Sequence, residues 1–258
     1  MKESESSPLI PTAFAKRLKF YVTSPQPCPY LPDKSERKVF ASLTTDGAVP
    51  LNDSLTRSGF RRSQTIAYRP ACAGCNACKS VRIVVDDFEW KRRWRKIEKR
   101  NQDLQRTPQR AAASREQFRL LKRYLDSRHS DGGMNEMELR DYVNMVDASP
   151  VRTVVFEYRG EPEPDYPDGP LIAAALTDIL RDGLSMVYSF YRPEEDRRSL
   201  GVHMILSHIR LAQELHLPYV YLGYWVKNSP KMGYKTDFGP LEMFDGENWR
   251  RMTEQDYI

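Results

Sequence analysis

The chain has 258 residues, 40% of them hydrophobic and 29% charged, with a formal net charge of +5. That length supports one large core or two modest ones, and no stretch approaches the roughly 20 uninterrupted apolar residues of a membrane span. The first ten residues, MKESESSPLI, lack the positive region and apolar run of an export signal, so a cytoplasmic protein without a membrane partner is expected.

Residues 1–18 are polar and proline-containing, which predicts a flexible arm. Residues 19–106 are expected to form an N-terminal domain. Its part up to residue 90 is rich in Pro, Ser and short apolar runs, contains Cys28, Cys72, Cys75 and Cys78, and ends in the strand-like Ser80–Val85. These features predict a small β-rich unit held together by its cysteines. Three cysteines within seven residues are not the even spread of a secreted disulfide framework; in a reducing compartment they read as metal-binding or redox. Together with Cys28 they supply four thiolates, enough for a structural zinc or an iron–sulfur cluster, with four plain thiols as the alternative.

From Lys91 to Arg100, seven of ten residues are basic and one is acidic. Cations interleaved with Trp90 and Trp94 suit a phosphate backbone, because they release condensed counterions while flat rings stack on bases; the alternative is a solvated helix face. Thr107-Pro108 then marks a boundary, and residues 107–258 are expected to form a second domain.

Ser114 with Gln117 makes a capping-box pattern before an amphipathic helix carrying Phe118, Leu121, Tyr124 and Leu125. Asn135 with Glu138 repeats it before Tyr142, Val143 and Val146. Val151–Arg159, Leu171–Leu180 and Leu184–Tyr191 read as three strands joined by turn-rich segments, an antiparallel meander. A helix is predicted over Ser199–Leu215, with Val202, Leu206, Ile209 and Leu215 on one face. Pro218 closes it, and the strand Tyr219–Tyr224 should lie parallel to its predecessor, as a crossover helix requires. The fold class is therefore α+β: a small Cys-containing β-rich unit, then an ααβββαβ order, which is that of a GNAT-like acyltransferase domain. In acetyltransferases of that fold the loop before the crossover helix binds the coenzyme A pyrophosphate. Here it runs Arg198–His203, keeps only Gly201, and argues against coenzyme A.

Three motifs together resemble one family. They are Gly59–Ser63 (GFRRS), Tyr68–Cys72 (YRPAC) with Cys75 and Cys78, and Tyr221–Trp225 (YLGYW) followed by Pro230–Lys235 (PKMGYK). The chain resembles the arginyl/leucyl-tRNA-protein transferases, most nearly the bacterial aspartate/glutamate leucyltransferase branch. Cys28–Leu31, Arg92-Arg93 with Asn101, Thr177–Leu180 and Val187-Tyr188 also fit, so the resemblance runs from about residue 20 to residue 250. The cysteines differ from those of the eukaryotic relatives, which carry a Cys-x-x-Cys pair and a separate Cys-Cys pair.

The resemblance implies attack by a protein's N-terminal α-amine on the ester of an aminoacyl-tRNA. Charged tRNA is the co-substrate, and no cofactor is required for the chemistry. Acceptors would be proteins beginning with Asp or Glu, marked in this way for N-degron degradation. The branch implies leucine as the donor amino acid, with arginine as the alternative, and DNA is not an expected partner.

No Ser-His-Asp or Cys-His arrangement is legible. Asp178, on an otherwise apolar strand, is the candidate proton acceptor; its alternative is a buried carboxylate satisfied by an arginine. An acceptor carboxylate wants a cation, and the candidates are Arg61, Arg62, Lys231 and Lys235, with Tyr234 between the lysines. Adjacent residues of an extended segment point to opposite sides, so one of Arg61 and Arg62 should enter the pocket. Tyr188, Tyr191 and Tyr224 are expected to line the donor pocket. Arg92, Arg93, Arg95, Lys96, Lys99 and Arg100 are expected to meet tRNA phosphates. The competing function is an RNA-binding module without catalysis.

Overall fold

The computed structural model describes residues 18–128, 136–227, 229 and 232–257. Of the arm expected at residues 1–18, all but Leu18 lies outside the described residues. No described helix is long and apolar enough to cross a membrane.

The chain is α+β, and its small sheet comes first. β1 (Phe20–Val22), β4 (Lys38–Ser42), β5 (Arg61–Ser63) and β6 (Ile66–Pro70) form a four-stranded sheet in the order β1-β4-β6-β5. β2 (Gln26–Pro27) and β3 (Ser35–Glu36) pair beside it. Helix α1 (Ala48–Arg57) closes the unit by packing Leu51 and Leu55 with Ala41, Leu43, Phe60 and Ala67. The sequence pattern hides this helix, because its buried positions include Asn52, Asp53, Ser54 and Thr56.

The larger sheet has eight strands in the order β14-β13-β7-β12-β11-β10-β9-β8. They are β7 (Cys78–Val84), β8 (Gln105–Arg110), β9 (Thr153–Arg159), β10 (Leu171–Ile179), β11 (Gly183–Tyr191), β12 (Tyr219–Val226), β13 (Leu241–Phe244) and β14 (Trp249–Arg251). Strands β9, β10 and β11 form the expected antiparallel meander, and β12 runs parallel to β11. The first eight residues of β10 are all buried, since helices cover both faces of the sheet.

On one face, α2 (Arg92–Arg100) and α5 (Leu200–Glu214) contribute Trp94, Met204, Ile205, Leu206 and Ile209 to a core with Val81, Ile83, Phe156, Ala173 and Leu222. On the other, α3 (Arg115–Arg128) and α4 (Leu139–Asp147) bring Leu121, Leu125, Tyr142 and Val146 against Leu171, Ala174, Leu176 and Phe190. A short helix, α6 (Glu254–Tyr257), follows β14.

Ser114 and Gln117 exchange both capping-box hydrogen bonds. The box of α4 is formed by Glu138 and Asp141. Asn135, expected to cap it, lies outside the described residues.

Two boundaries differ from expectation. The strand after the cysteines was expected in the small N-terminal unit; it is β7, between β12 and β13 of the large sheet, with Val81 and Ile83 fully buried. Thr107-Pro108, expected as a break, lies within β8. This strand pairs with β9 alone, so a proline without an N–H is tolerated at the sheet edge.

Candidate active site

Parallel β11 and β12 are joined only at Gly183–Ser185 against Tyr219–Tyr221. Beyond that point β11 runs on to Tyr191 and β12 to Val226 with no pairing between them. On its other side, β12 shifts register against β7 between Tyr221 and Gly223, and Gly223 has φ +71°. The result is an opening between two central strands, where backbone carbonyls need donors from elsewhere.

Two cations supply them. Arg61, from β5 of the small sheet, donates from Nη2 to the Val187 carbonyl at 2.5 Å. Lys235, from the short 3-10 turn at Gly233–Phe238, donates from Nζ to the carbonyls of Leu222 (2.8 Å) and Tyr224 (2.5 Å). Lys235 is 5% exposed, and burial, with Arg61 nearby, holds its ammonium well below the usual lysine range. Arg61 is half-buried and, among the described residues, no carboxylate pairs with it. The opening is therefore electropositive and carries guanidinium donors that are not committed to an ion pair.

Tyrosines surround it. The Tyr188 hydroxyl is buried with no hydrogen-bond partner among the described residues; burial pushes it up to about 12, while nearby Arg61 pulls the other way. Tyr191 packs on Tyr124 with ring centroids 4.9 Å apart and covers Gly201 at the start of α5. Tyr234 is 46% exposed, with its hydroxyl within electrostatic reach of Arg61 and Tyr191. Tyr224 is committed elsewhere: its hydroxyl lies 3.1 Å from the Gly59 carbonyl and 2.8 Å from that of Tyr68, fastening β12 to the small sheet. Arg61, Tyr188, Tyr191, Tyr224, Tyr234 and Lys235 thus come together.

Arg62 turns the other way. Its Nε donates to Asp178 Oδ2 at 2.6 Å, Nη2 to Oδ1 at 2.7 Å, and Nη1 to the Gln64 carbonyl at 2.9 Å. Asp178 Oδ1 also accepts from Thr153 Oγ1 at 2.7 Å. The structure therefore gives Asp178 a different task from the proton acceptor expected of it: buried and held by three donors, it anchors β5 to β10. Arg62 is likewise an anchor and not a pocket wall. Lys231 lies outside the described residues.

The six basic residues expected to meet RNA sit on α2 and are exposed, while Trp94 turns inward and stacks on Phe238 with centroids 4.9 Å apart and planes 5° apart. Arg93 donates to the Asp237 carbonyl at 2.8 Å, and Arg100 to the carbonyl of Arg197. Arg92, Arg95, Lys96 and Lys99 have no partner among the described residues. The loop before α5 is itself engaged, since Arg198 donates to Asn101 Oδ1 at 2.9 Å and pairs with Asp103.

The four cysteines are free and partly exposed. Burial, with the other three thiols close by, pushes Cys78 up to about 11. Among the described residues, however, no group of three or more His, Cys, Asp or Glu side chains is disposed to hold a metal ion. The zinc or iron–sulfur expectation thus gains no support from this arrangement.

Gly223 was not anticipated as part of the site. A glycine inside an apolar strand is a legible signal of a bulge or a close approach, but what approaches it cannot be read from spacing.

Residues 26–96 match the family described as Arginine-tRNA-protein transferase, N terminus, and residues 116–245 match Arginine-tRNA-protein transferase, C terminus. The chain is 55% identical over 248 residues to a protein of Hyphomonas neptunium named aspartate/glutamate leucyltransferase, covering 96% of this chain and 97% of that one. It is 59% identical over 231 residues to a protein of the same name from Parvibaculum lavamentivorans, covering 90% and 93%. Likeness to solved structures is slighter. A crystal structure of FemX matches with a TM-score of 0.45 and 12% identity, covering 75% of this chain and 64% of that one, too little to carry an argument.

Proposed function

The chain belongs to the arginine-tRNA-protein transferase family, and from that premise we propose that it transfers leucine from leucyl-tRNA to the N-terminal α-amine of proteins beginning with Asp or Glu. The observation that carries this reading is identity of 55% and 59% to proteins named aspartate/glutamate leucyltransferase, over at least 90% of both chains in each case.

In this reaction the amine nitrogen bonds to the ester carbonyl carbon, the carbonyl-to-ribose C–O bond breaks, and the ribose oxygen leaves with a proton. The ester is already activated, so the protein's main task is to hold two large substrates in register. An α-amine with a pKa near 8 is partly neutral at cytosolic pH, and its surplus proton passes to the departing ribose oxygen or to water. Asp178 is too deeply held to take part.

Arg61 meets the acceptor's side-chain carboxylate, and the lack of an ion-pair partner for it among the described residues supports that role. Lys235 keeps the opening in shape through the carbonyls it holds. Tyr188 and Tyr191 wall the donor side, while Tyr224 fastens β12 to the small sheet. Among the described residues no carboxylate is paired with Arg61 or Lys235, which suits a leucyl side chain better than an arginyl one. The exposed cations of α2 take the tRNA phosphates.

The order α3-α4-β9-β10-β11-α5-β12, with its parallel but diverging last pair, supports a GNAT-like transferase core from β8 onward, completed by β7 and α2. The small sheet reaches in from the acceptor side. An N-terminal leucine added in this way would mark its carrier as an N-degron substrate in the cytoplasm, where charged tRNA is made.

The test is a transfer assay with labelled leucyl-tRNA and arginyl-tRNA against peptides beginning with Asp, Glu, Lys or Ala. Leucine on the acidic-headed peptides alone is the expected result. Arginine there would change the donor, and no label on any peptide, with tRNA still bound, would leave an RNA-binding module.

A further inference from the structure

Arg61 lies flat across β12 at Gly223. A Cβ built on Gly223 would stand 2.0 Å from Arg61 Nη1, 2.8 Å from Cζ and 3.1 Å from Cδ. The atoms met are the guanidinium and stem of a flexible side chain, so it is Arg61 that must move to make room. Lifting the guanidinium would also cost the hydrogen bond from Nη2 to the Val187 carbonyl on β11, which holds Arg61 across the opening. Lys235 stands nearby, bound to the carbonyls of Leu222 and Tyr224, the residues before and after Gly223. Two basic side chains thus meet β12 around one glycine, and the missing side chain of that glycine leaves room for Arg61.

Resting on the reading of Arg61 as the partner of the acceptor carboxylate, we propose that Gly223 is a positioning residue that sets selection for acidic-headed acceptors, by leaving the space in which Arg61 crosses β12. The positive φ at Gly223 is a separate requirement, met by the register shift against β7. It adds strain to any replacement but does not by itself direct the guanidinium.

The experiment uses the full chain in four forms: unaltered, Gly223→Ala, Arg61→Ala, and both together. KM for an Asp-headed peptide, KM for leucyl-tRNA, kcat and the melting temperature are measured on each. Gly223→Ala is expected to raise the peptide KM about tenfold or more, as loss of a charge-assisted hydrogen bond does, with leucyl-tRNA KM and kcat within about twofold. Adding Gly223→Ala to Arg61→Ala should raise the peptide KM no further, because the clashing group is already gone. Gly223→Asn, which tolerates the left-handed backbone better, should behave as the alanine variant does.

Peptide KM penalties that add in the double variant, or an unchanged peptide KM in Gly223→Ala or Gly223→Asn, would overturn the proposal. So would loss of a cooperative melt in the single and double Gly223 variants alike, since the strand itself would then need the glycine. An unchanged peptide KM in Arg61→Ala is a different result, and would sink the reading of Arg61 on which the proposal stands.

Discussion

Arg62 of β5 and Asp178 of β10 form a buried two-pronged ion pair, each side chain 1% exposed, that joins the small sheet to the large one. Removing one partner strands the other's charge in the interior. Asp178→Asn should destabilise the fold by about 3–5 kcal/mol in urea unfolding, whereas replacing both residues with apolar ones of similar volume should cost less. If Asp178 were the proton acceptor, the same variant, assayed on its folded fraction, would instead lose roughly 100-fold or more in kcat. The structure predicts a stability effect with kcat changed less than about tenfold.

The guanidinium of Arg61, without an ion-pair partner among the described residues, should tell a carboxylate from its neutral isostere. With Asp-headed and Asn-headed peptides of otherwise identical sequence, the unaltered chain should favour Asp in kcat/KM by about 10- to 100-fold, the worth of a charged hydrogen bond. Arg61→Ala should erase that preference by lowering kcat/KM for the Asp peptide alone. A preference that survives the substitution would assign the carboxylate to another cation.

On α2 the basic residues divide by what they already hold. Arg93 and Arg100 are tied to neighbouring carbonyls, while the side chains of Arg92, Arg95, Lys96 and Lys99 have no partner among the described residues and are the ones proposed to meet phosphates. Each Ala substitution among these four residues should weaken tRNA binding and reduce the slope of log affinity against log salt by about 0.7–0.9. Filter binding at several salt concentrations reads both quantities, and the KM for acceptor peptides should not move.

His208 supplies a pH dependence of stability. It is fully buried between β10 and its own helix, with Thr177 Oγ1 2.8 Å from Nε2 and the Met204 carbonyl 2.7 Å from Nδ1. Burial pushes its imidazole down to about 4 from an ordinary 6.5. Between those values the unfolded chain binds the proton and the folded chain does not. The stability is therefore full above pH 6.5 and is lost as pH falls toward 4, by about 3 kcal/mol in total. His203, also held down to about 4 by burial, adds in the same direction. His208→Gln should lower stability at pH 7.5 yet flatten its decline between pH 6.5 and 4.5, measured by urea unfolding at each pH. An unchanged slope would mean that His208 is protonated in the fold.

Much of the region from residue 114 to residue 226 was legible, because its signals are local. The Ser114–Gln117 cap, the strands β9 to β11 and the helix before Pro218 lie within two residues of their predicted ends, since each announces itself through the side-chain period of its own segment. Helix α1 was illegible for the converse reason: its buried face carries Asn52, Asp53, Ser54 and Thr56, which a period of apolar residues does not register. β8 was lost because Gln105–Arg110 is a polar edge strand with one partner.

The sequence by itself determined the family, through motifs that recur in order along the chain, and with it the class of reaction. Only the tertiary structure decided which of two adjacent arginines faces the opening and which one Asp178 takes. Arg61 meets Val187 across 126 positions of sequence, and Arg62 meets Asp178 across 116. Local periodicity sets the side of a strand on which a residue stands; what stands opposite is set by how separate sheets pack, and that information is distributed over the whole chain.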